Sequence, residues 1–269
     1  MKDNTLEPGW LIVDGYPLYH RTSLTAGDDA PAIVHVHGFG ISGTYLEPTA
    51  ALLTHRFRTF VPDLPGMGRS MRRDCPLDLP GLAAALMAYC DAVGVDTATF
   101  VGNSLGCPII CEVAASFPDR IDGAVLVSPA GGPTNQPMPR AIGQMVLDAP
   151  REPLGMLPIA ARDYLRFGVL QSWRLFRSMT EFPTLERVRH MDMPTLLVAG
   201  ARDPLVHAER VTIFAGLPQV SAVRVPGAHA LNFSAPQLIA ALVEAHVDGT
   251  PLHTDEGPLS VTEILDVPK

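Results

Sequence analysis

Residues 101–106 read Val-Gly-Asn-Ser-Leu-Gly, the pattern Gly-x-Ser-x-Gly. A β-rich run at 97–101 precedes it, and a helical stretch at 107–117 follows. A strand, a very tight turn and a helix in immediate succession leave the chain few ways to fold. A serine at the apex of such a turn takes a strained backbone conformation. Its Oγ then stands above the sheet, and the next helix points its N-terminus at the same spot. Strand and helix nearly collide there, so the residues two before and two after the serine must be small. Gly102 and Gly106 meet that need. Pro108 suits the first turn of the helix, where an N–H has no intrahelical partner to lose.

The rest of the chain sets the context for this turn. Residues 10–24 predict two strands joined at Asp14-Gly15, and 32–37 predict a buried strand ending in Gly38-Phe39-Gly40. Ser42 is positioned to cap a helix reaching about residue 55. A strand at 58–61 opens onto the turn-rich loop 63–70, and a helix at 80–93 leads into the 97–101 strand. Residues 123–127 form another apolar strand. From 131 to 191 strand signals vanish, and amphipathic pieces appear at 159–170 and 172–179. That stretch is too long for a plain loop and predicts a helical insertion. Alternation resumes with a strand at 195–199, a helix at 208–215, a strand at 222–225 and a helix at 236–247. The expected organisation is an α/β core, 1–130 and 192–269, interrupted by a helical lid at 131–191. The tail at 249–269 receives no role. Alternating strands and helices imply a mostly parallel sheet covered on both faces, with ligands bound beyond the carboxyl ends of its strands.

That rule selects the chemistry. A neutral serine needs a base, and the base needs an orienting group. Asp203 follows the 195–199 strand and His229 follows the 222–225 strand. Both therefore fall on the rim that carries Ser104, in the chain order Ser, Asp, His. Asp192 precedes its strand and lies at the opposite edge. After the 123–127 strand, Ser128-Pro129-Ala130 offers no carboxylate. His207 starts a helix, His246 sits within one, His253 lies in the tail, and His35 is inside a strand. An oxyanion formed during acyl transfer requires two preorganised N–H donors. Leu105, directly after the serine, supplies one. Phe39, in the loop after the third strand, supplies the other, while His37 serves that loop as a structural hydrogen-bonding group. A histidine base predicts kcat/KM rising through an apparent pKa of about 6 to 7.5.

His37-Gly38-Phe39-Gly40, residues 63–70, Gly102-Asn103-Ser104-Leu105-Gly106, Gly200-Ala201-Arg202-Asp203 and Pro226-Gly227-Ala228-His229 together resemble, in order, the motifs of the α/β-hydrolase fold enzymes. The resemblance spans about residues 10–248. It implies an eight-stranded, mostly parallel sheet with helices on both faces and a helical lid after strand six. Members include esterases, lipases, thioesterases, lactonases, C–C bond hydrolases, epoxide hydrolases, dehalogenases and cofactor-free haloperoxidases. Epoxide hydrolases and dehalogenases carry an aspartate at the turn, so Ser104 argues against both. Gly-Asn-Ser-Leu-Gly is similar to the Gly-Asn-Ser-Met-Gly of hydrolases that cleave ring-fission diketones. Those enzymes usually have a second glycine where Cys107 stands and a Trp where Ala230 stands.

The expected activity is therefore hydrolysis of a small to medium apolar carboxylic ester, lactone or thioester through Ser104, His229 and Asp203. The pocket is expected to be framed by Phe39 and Leu105, with Leu231 and Phe233 just after His229, and a lid stripe of Tyr164, Phe167, Leu170, Trp173 and Phe176 either roofs it in part or only packs the lid onto the core. A C–C bond hydrolase with the same triad is one alternative, and it would draw a cation from Arg162, Arg166, Arg174 or Arg177. A small-molecule receptor without turnover is another. No metal or organic cofactor is implied.

Composition narrows the partners. The 269 residues carry a net charge of −8, and their 47% hydrophobic content suffices for a substantial core. The basic residues are scattered apart from Arg69, Arg72 and Arg73, which excludes a nucleic-acid footprint. No apolar run approaches the ~20 residues that span a bilayer. The N-terminus has no apolar segment of signal-peptide type. Cys75, Cys90, Cys107 and Cys111 form neither a C-x-x-C pair nor zinc spacing, and Cys107 and Cys111 suit buried thiols behind the turn. A reducing cytoplasm, a small-molecule substrate, no nucleic-acid or membrane partner, and a homodimer as one option are the expectations.

Overall fold

The computed structural model of the protein describes residues 5–70, 78–167, 169–254 and 257–258. Arg72, Arg73, Cys75 and most of the tail lie outside them. Asp14-Gly15 turns β1 (Glu7–Val13) into β2 (Tyr16–Ser23), with φ of 49° and 80° at its two central residues. Two positive φ values match the right-handed twist of the paired strands. β3 (Ala32–Val36), β4 (Arg58–Pro62), β5 (Ala98–Asn103), β6 (Ile121–Val127), β7 (Thr195–Gly200) and β8 (Val220–Val225) complete one sheet in the order β1-β2-β4-β3-β5-β6-β7-β8. From β4 to β8 every neighbour is parallel, and β1 and β2 add an antiparallel edge. The sheet is thus eight-stranded and mostly parallel.

The strand period of two sorts side chains onto two covered faces. Ile33, Val101, Val125 and Leu196 pack towards α9 (Pro236–Val247) and the end of α1 (Glu47–Leu53). Their neighbours Val34, Phe100, Ala124 and Leu197 pack towards α2 (Leu79–Ala92), α3 (Gly106–Ser116) and α8 (Ala208–Thr212). Burial on both faces explains why these strands read as continuous apolar runs. Ser42 departs from expectation. A 3-10 turn, Gly43–Leu46, precedes α1, and the Ser42 hydroxyl donates to Thr44 Oγ1 rather than capping a helix.

Between β6 and β7 the chain forms α4 (Met138–Asp148), α5 (Met156–Phe167), α6 (Val169–Glu181) and α7 (Thr184–Val188). The pieces expected at 159–170 and 172–179 correspond to α5, which begins and ends three residues earlier, and to α6, which extends the second piece at both ends. The insertion is tied to the core by polar groups. Asp163 Oδ2 accepts from Ser42 N at 2.9 Å, and Arg162 pairs with Asp163 at 2.6 Å. Thr184 Oγ1 donates to Ala130 O at 2.7 Å, and Asn135 Nδ2 donates to Leu205 O at 3.1 Å.

Candidate active site

Ser104 sits between the end of β5 and the start of α3 with φ +56°, a left-handed conformation costly for a residue with a Cβ. Its N–H donates to Val127 O of the neighbouring strand at 3.1 Å, which holds the turn in place. The flanking glycines are forced by contact. A Cβ on Gly106 would lie 2.1 Å from Val36 O, and one on Gly102 would lie 2.6 Å from Ile110 Cδ1. The elbow therefore depends on β3, β5 and α3 together.

Asp203 and His229 meet over the adjacent strand ends. Asp203 Oδ1 accepts from the amides of Leu205 and Val206 at 2.8 and 3.0 Å. Its Oδ2 is then directed at His229 Nδ1, 2.8 Å away. This bond places the imidazole proton on Nδ1 and leaves Nε2 as the acceptor. Burial raises the Asp203 carboxyl, but the charge and hydrogen bond of His229 and the Val206 amide outweigh it and hold it below the usual range. Burial pushes His229 down, yet Asp203, Asp148 and Glu152 together push it up to about 9.

Ser104 and His229 line one cavity of about 160 Å³, shared by Gly38, Phe39, Asn103, Asp148, Glu152 and Phe176. Its remaining walls are largely apolar, including Met145, Met156, Ala160, Tyr164 and Met179. Phe39 stands edge-on to Phe167 and Phe176, with ring centroids 5.4 and 5.6 Å apart. Gly38 N donates to Tyr45 Oη at 2.8 Å, so Phe39 supplies the next backbone donor of the loop. Leu105 N lies at the N-terminus of α3. His37 bridges two loops: its Nδ1 donates to Gly38 O and its Nε2 accepts from Leu64 N, both at 2.9 Å.

Three pocket expectations need correction. The side chains of Leu105 and Leu231 are fully buried in the sheet–helix core, because each points back from its turn into the packing layer. Trp173 is 55% exposed and lines an outer groove with Gln136, Pro137 and Arg177, on the far side of Phe176 from the cavity. The stripe fails as one helical face because α5 ends at Phe167 and α6 starts at Val169. Of its members, Tyr164 and Phe176 reach the cavity, and Phe167 packs behind Phe39. The Leu170 side chain lies outside the described residues.

Sequence reasoning overlooked four positions. Tyr45 Oη donates to Asn103 Oδ1 at 2.7 Å, and Asn103 Nδ2 donates to His229 O at 3.1 Å. These residues tie the loop after β3, the elbow and the histidine loop into one network. Glu152, just after α4, accepts from His229 N and Ala230 N at 2.8 and 2.7 Å. Asp148, the last residue of α4, is 8% exposed, and its carboxyl is pushed up to about 7, chiefly by burial. An acidic residue inside a predominantly apolar insertion was the available signal. Cys107 and Cys111 are buried free thiols behind the elbow, and burial raises both. Among the described residues no cluster of three His, Cys, Asp or Glu is arranged to hold a metal, and no helix is long and apolar enough to cross a membrane.

Comparison with known proteins agrees with this architecture. Residues 31–159 match the family model described as alpha/beta hydrolase fold. Polyketide synthase ThaQ of Burkholderia thailandensis is 28% identical over 277 residues, covering 91% of this chain and 13% of the synthase. The chain also spans 33% of the mycobacterial relatives it matches. Among solved structures, a bacterial membrane phospholipase A aligns with a TM-score of 0.76 at 21% identity, covering 92% of this chain and 87% of its own. The enol-lactonase of Burkholderia xenovorans aligns with a TM-score of 0.72 at 20% identity, covering 89% of this chain and 100% of its own. The sheet order and the serine turn between β5 and α3 give the chain the α/β-hydrolase fold, and the family model described by that name matches its residues 31–159.

Proposed function

We propose that this chain is a serine hydrolase acting on a small to medium carboxylic ester, lactone or thioester. One observation carries the reading. A serine strained to φ +56° shares a cavity with an imidazole whose Nδ1 is hydrogen-bonded to a buried carboxylate at 2.8 Å. In this reading Ser104 Oγ attacks the carbonyl carbon and His229 Nε2 takes its proton. The amides of Leu105 and Phe39 receive the developing oxyanion. The intermediate collapses, His229 returns the proton to the leaving group, and water repeats the cycle on the acyl-enzyme. Asp203 fixes the tautomer and stabilises the imidazolium. That the fold also serves an enol-lactonase and a phospholipase is consistent with ester chemistry here.

The cavity argues against the C–C bond alternative. A diketone acid carries a carboxylate that needs a cation, and the described residues lining the cavity include no Arg or Lys. Arg162 is engaged with Asp163 and Ser42, Arg177 pairs with Glu181 at the surface, and Arg166 and Arg174 are exposed. Asp148 and Glu152 would instead repel such a substrate.

The test is a fluorophosphonate label followed by mapping of the modified residue, run beside p-nitrophenyl esters of graded acyl length and a vinylogous diketone acid. Label on Ser104 with ester turnover is expected. An unlabelled Ser104 and no turnover would leave the receptor alternative standing.

A further inference from the structure

Asp148 and Glu152 sit in the insertion, line the cavity that holds Ser104 and His229, and are used by no step of ester hydrolysis. Glu152 spends Oε1 on the amides of His229 and Ala230, but its Oε2 is buried with no hydrogen-bond partner among the described residues. Asp148 is more than nine-tenths buried, and its Oδ1 is likewise without a partner there. Two acceptor oxygens, each contributed by an acid, thus remain unmatched in an otherwise apolar chamber. Leaving such an oxygen unpaired is costly, more so when it is charged. The described lining offers no Arg or Lys to match them, and His229, whose protonation both acids favour, must be neutral to act as a base. The complement is a small cation that donates hydrogen bonds and brings its own apolar surface. An alkylammonium does both: it carries N–H donors, and its carbons suit walls such as Phe39, Met145 and Met156.

We propose that Asp148 and Glu152 form a subsite for a protonated amine of the substrate, so that the preferred ester carries an amino group on its acyl or its alcohol portion. The proposal rests on the reading of Ser104 as an ester-cleaving nucleophile. It also gives the second acid a purpose. The Asp148 carboxyl also takes a backbone hydrogen bond from His229, but its Oδ1 is left over from that contact. A bound ammonium would offset the negative charge around His229 and so favour its neutral, proton-accepting form.

The experiment uses two isosteric pairs near neutral pH. On the alcohol side these are 2-(dimethylamino)ethyl butyrate and 3-methylbutyl butyrate. On the acyl side they are methyl 4-(dimethylamino)butanoate and methyl 5-methylhexanoate. In one pair the cationic member should exceed its neutral isostere in kcat/KM by roughly 10- to 100-fold, the worth of a charge-assisted hydrogen bond. The pair that shows it tells which portion carries the amine. In Asp148→Asn and Glu152→Gln that ratio should fall towards one, whatever the absolute rates. Equal turnover of both members in both pairs would overturn the proposal and leave the hydrolase reading intact. If wild type cleaves none of the four esters, Ser104→Ala protein titrated with butylammonium and with butanol still tests the acid pair. Tighter binding of butylammonium, weakened by Asp148→Asn, supports the subsite, and binding no tighter than butanol removes it.

Discussion

The His229 imidazole faces Asp203 at 2.8 Å and shares its cavity with Asp148 and Glu152. Catalysis needs this ring neutral at Nε2, so raising its proton affinity moves activity to higher pH. Its pKa is pushed up to about 9, against 6.5 for a free histidine. On neutral esters, kcat/KM should therefore climb through neutral pH and level off only above the histidine's ordinary range. That is higher than the sequence implied, because the lid acids were invisible to it. Asp148→Asn removes one negative neighbour, so the pH profile should shift to lower pH. A profile unchanged by Asp148→Asn would place that carboxylate outside the histidine's electrostatic reach. Ser104→Ala deletes only the nucleophilic oxygen and should reduce ester turnover by roughly 10⁴-fold or more without altering the melting temperature. Turnover within tenfold of wild type would move the nucleophile elsewhere.

Secondary-structure elements meet at contacts with little slack. Gly106→Ala would press a Cβ into the β3 backbone at Val36 O, so it should destabilise the fold by about 1–3 kcal/mol, read as a lowered thermal midpoint. Phe176 of α6 lines both the cavity and the outer groove, whereas Trp173 of the same helix lines the groove alone. Phe176→Ala should shift chain-length preference towards longer acyl groups, and Trp173→Ala should leave it where it was. A shift from Trp173→Ala alone would reverse that assignment. These elements also show what could be read in advance. The strands, the elbow, and the placement of Asp203 and His229 at strand ends follow from local period and turn chemistry, which a short window of sequence contains. Gly102 and Gly106 announced the close approach at the elbow by themselves. α4 escaped notice because Pro137, Pro139 and Gly143 dilute its helical signal, although the chain folds there as an 11-residue helix. The pairing of Glu152 with the amides of residues 229 and 230 spans 77 and 78 positions of sequence, and no local pattern encodes it.

Across the whole molecule, the core supplies the reacting groups and the insertion supplies most of the chamber. A space of about 160 Å³ suits a small substrate, below the ~300–1,000 Å³ of drug-sized sites. Each methylene added to a neutral acyl chain should improve kcat/KM by up to ~0.8 kcal/mol until the chamber is full, then stop helping. Continued gain out to palmitoyl esters would mean that the insertion swings aside for long chains. The Glu152 contact has a further implication for how such proteins diversify. Relatives on this scaffold are readily imagined as a fixed engine with exchangeable covers. Here a cover from another protein would strand two backbone amides beside the catalytic imidazole unless it brought an acceptor to the same place. Insertion and histidine loop are therefore expected to be inherited as a pair, and a chimaera that exchanges only one of them should fold yet work poorly until the other is exchanged as well.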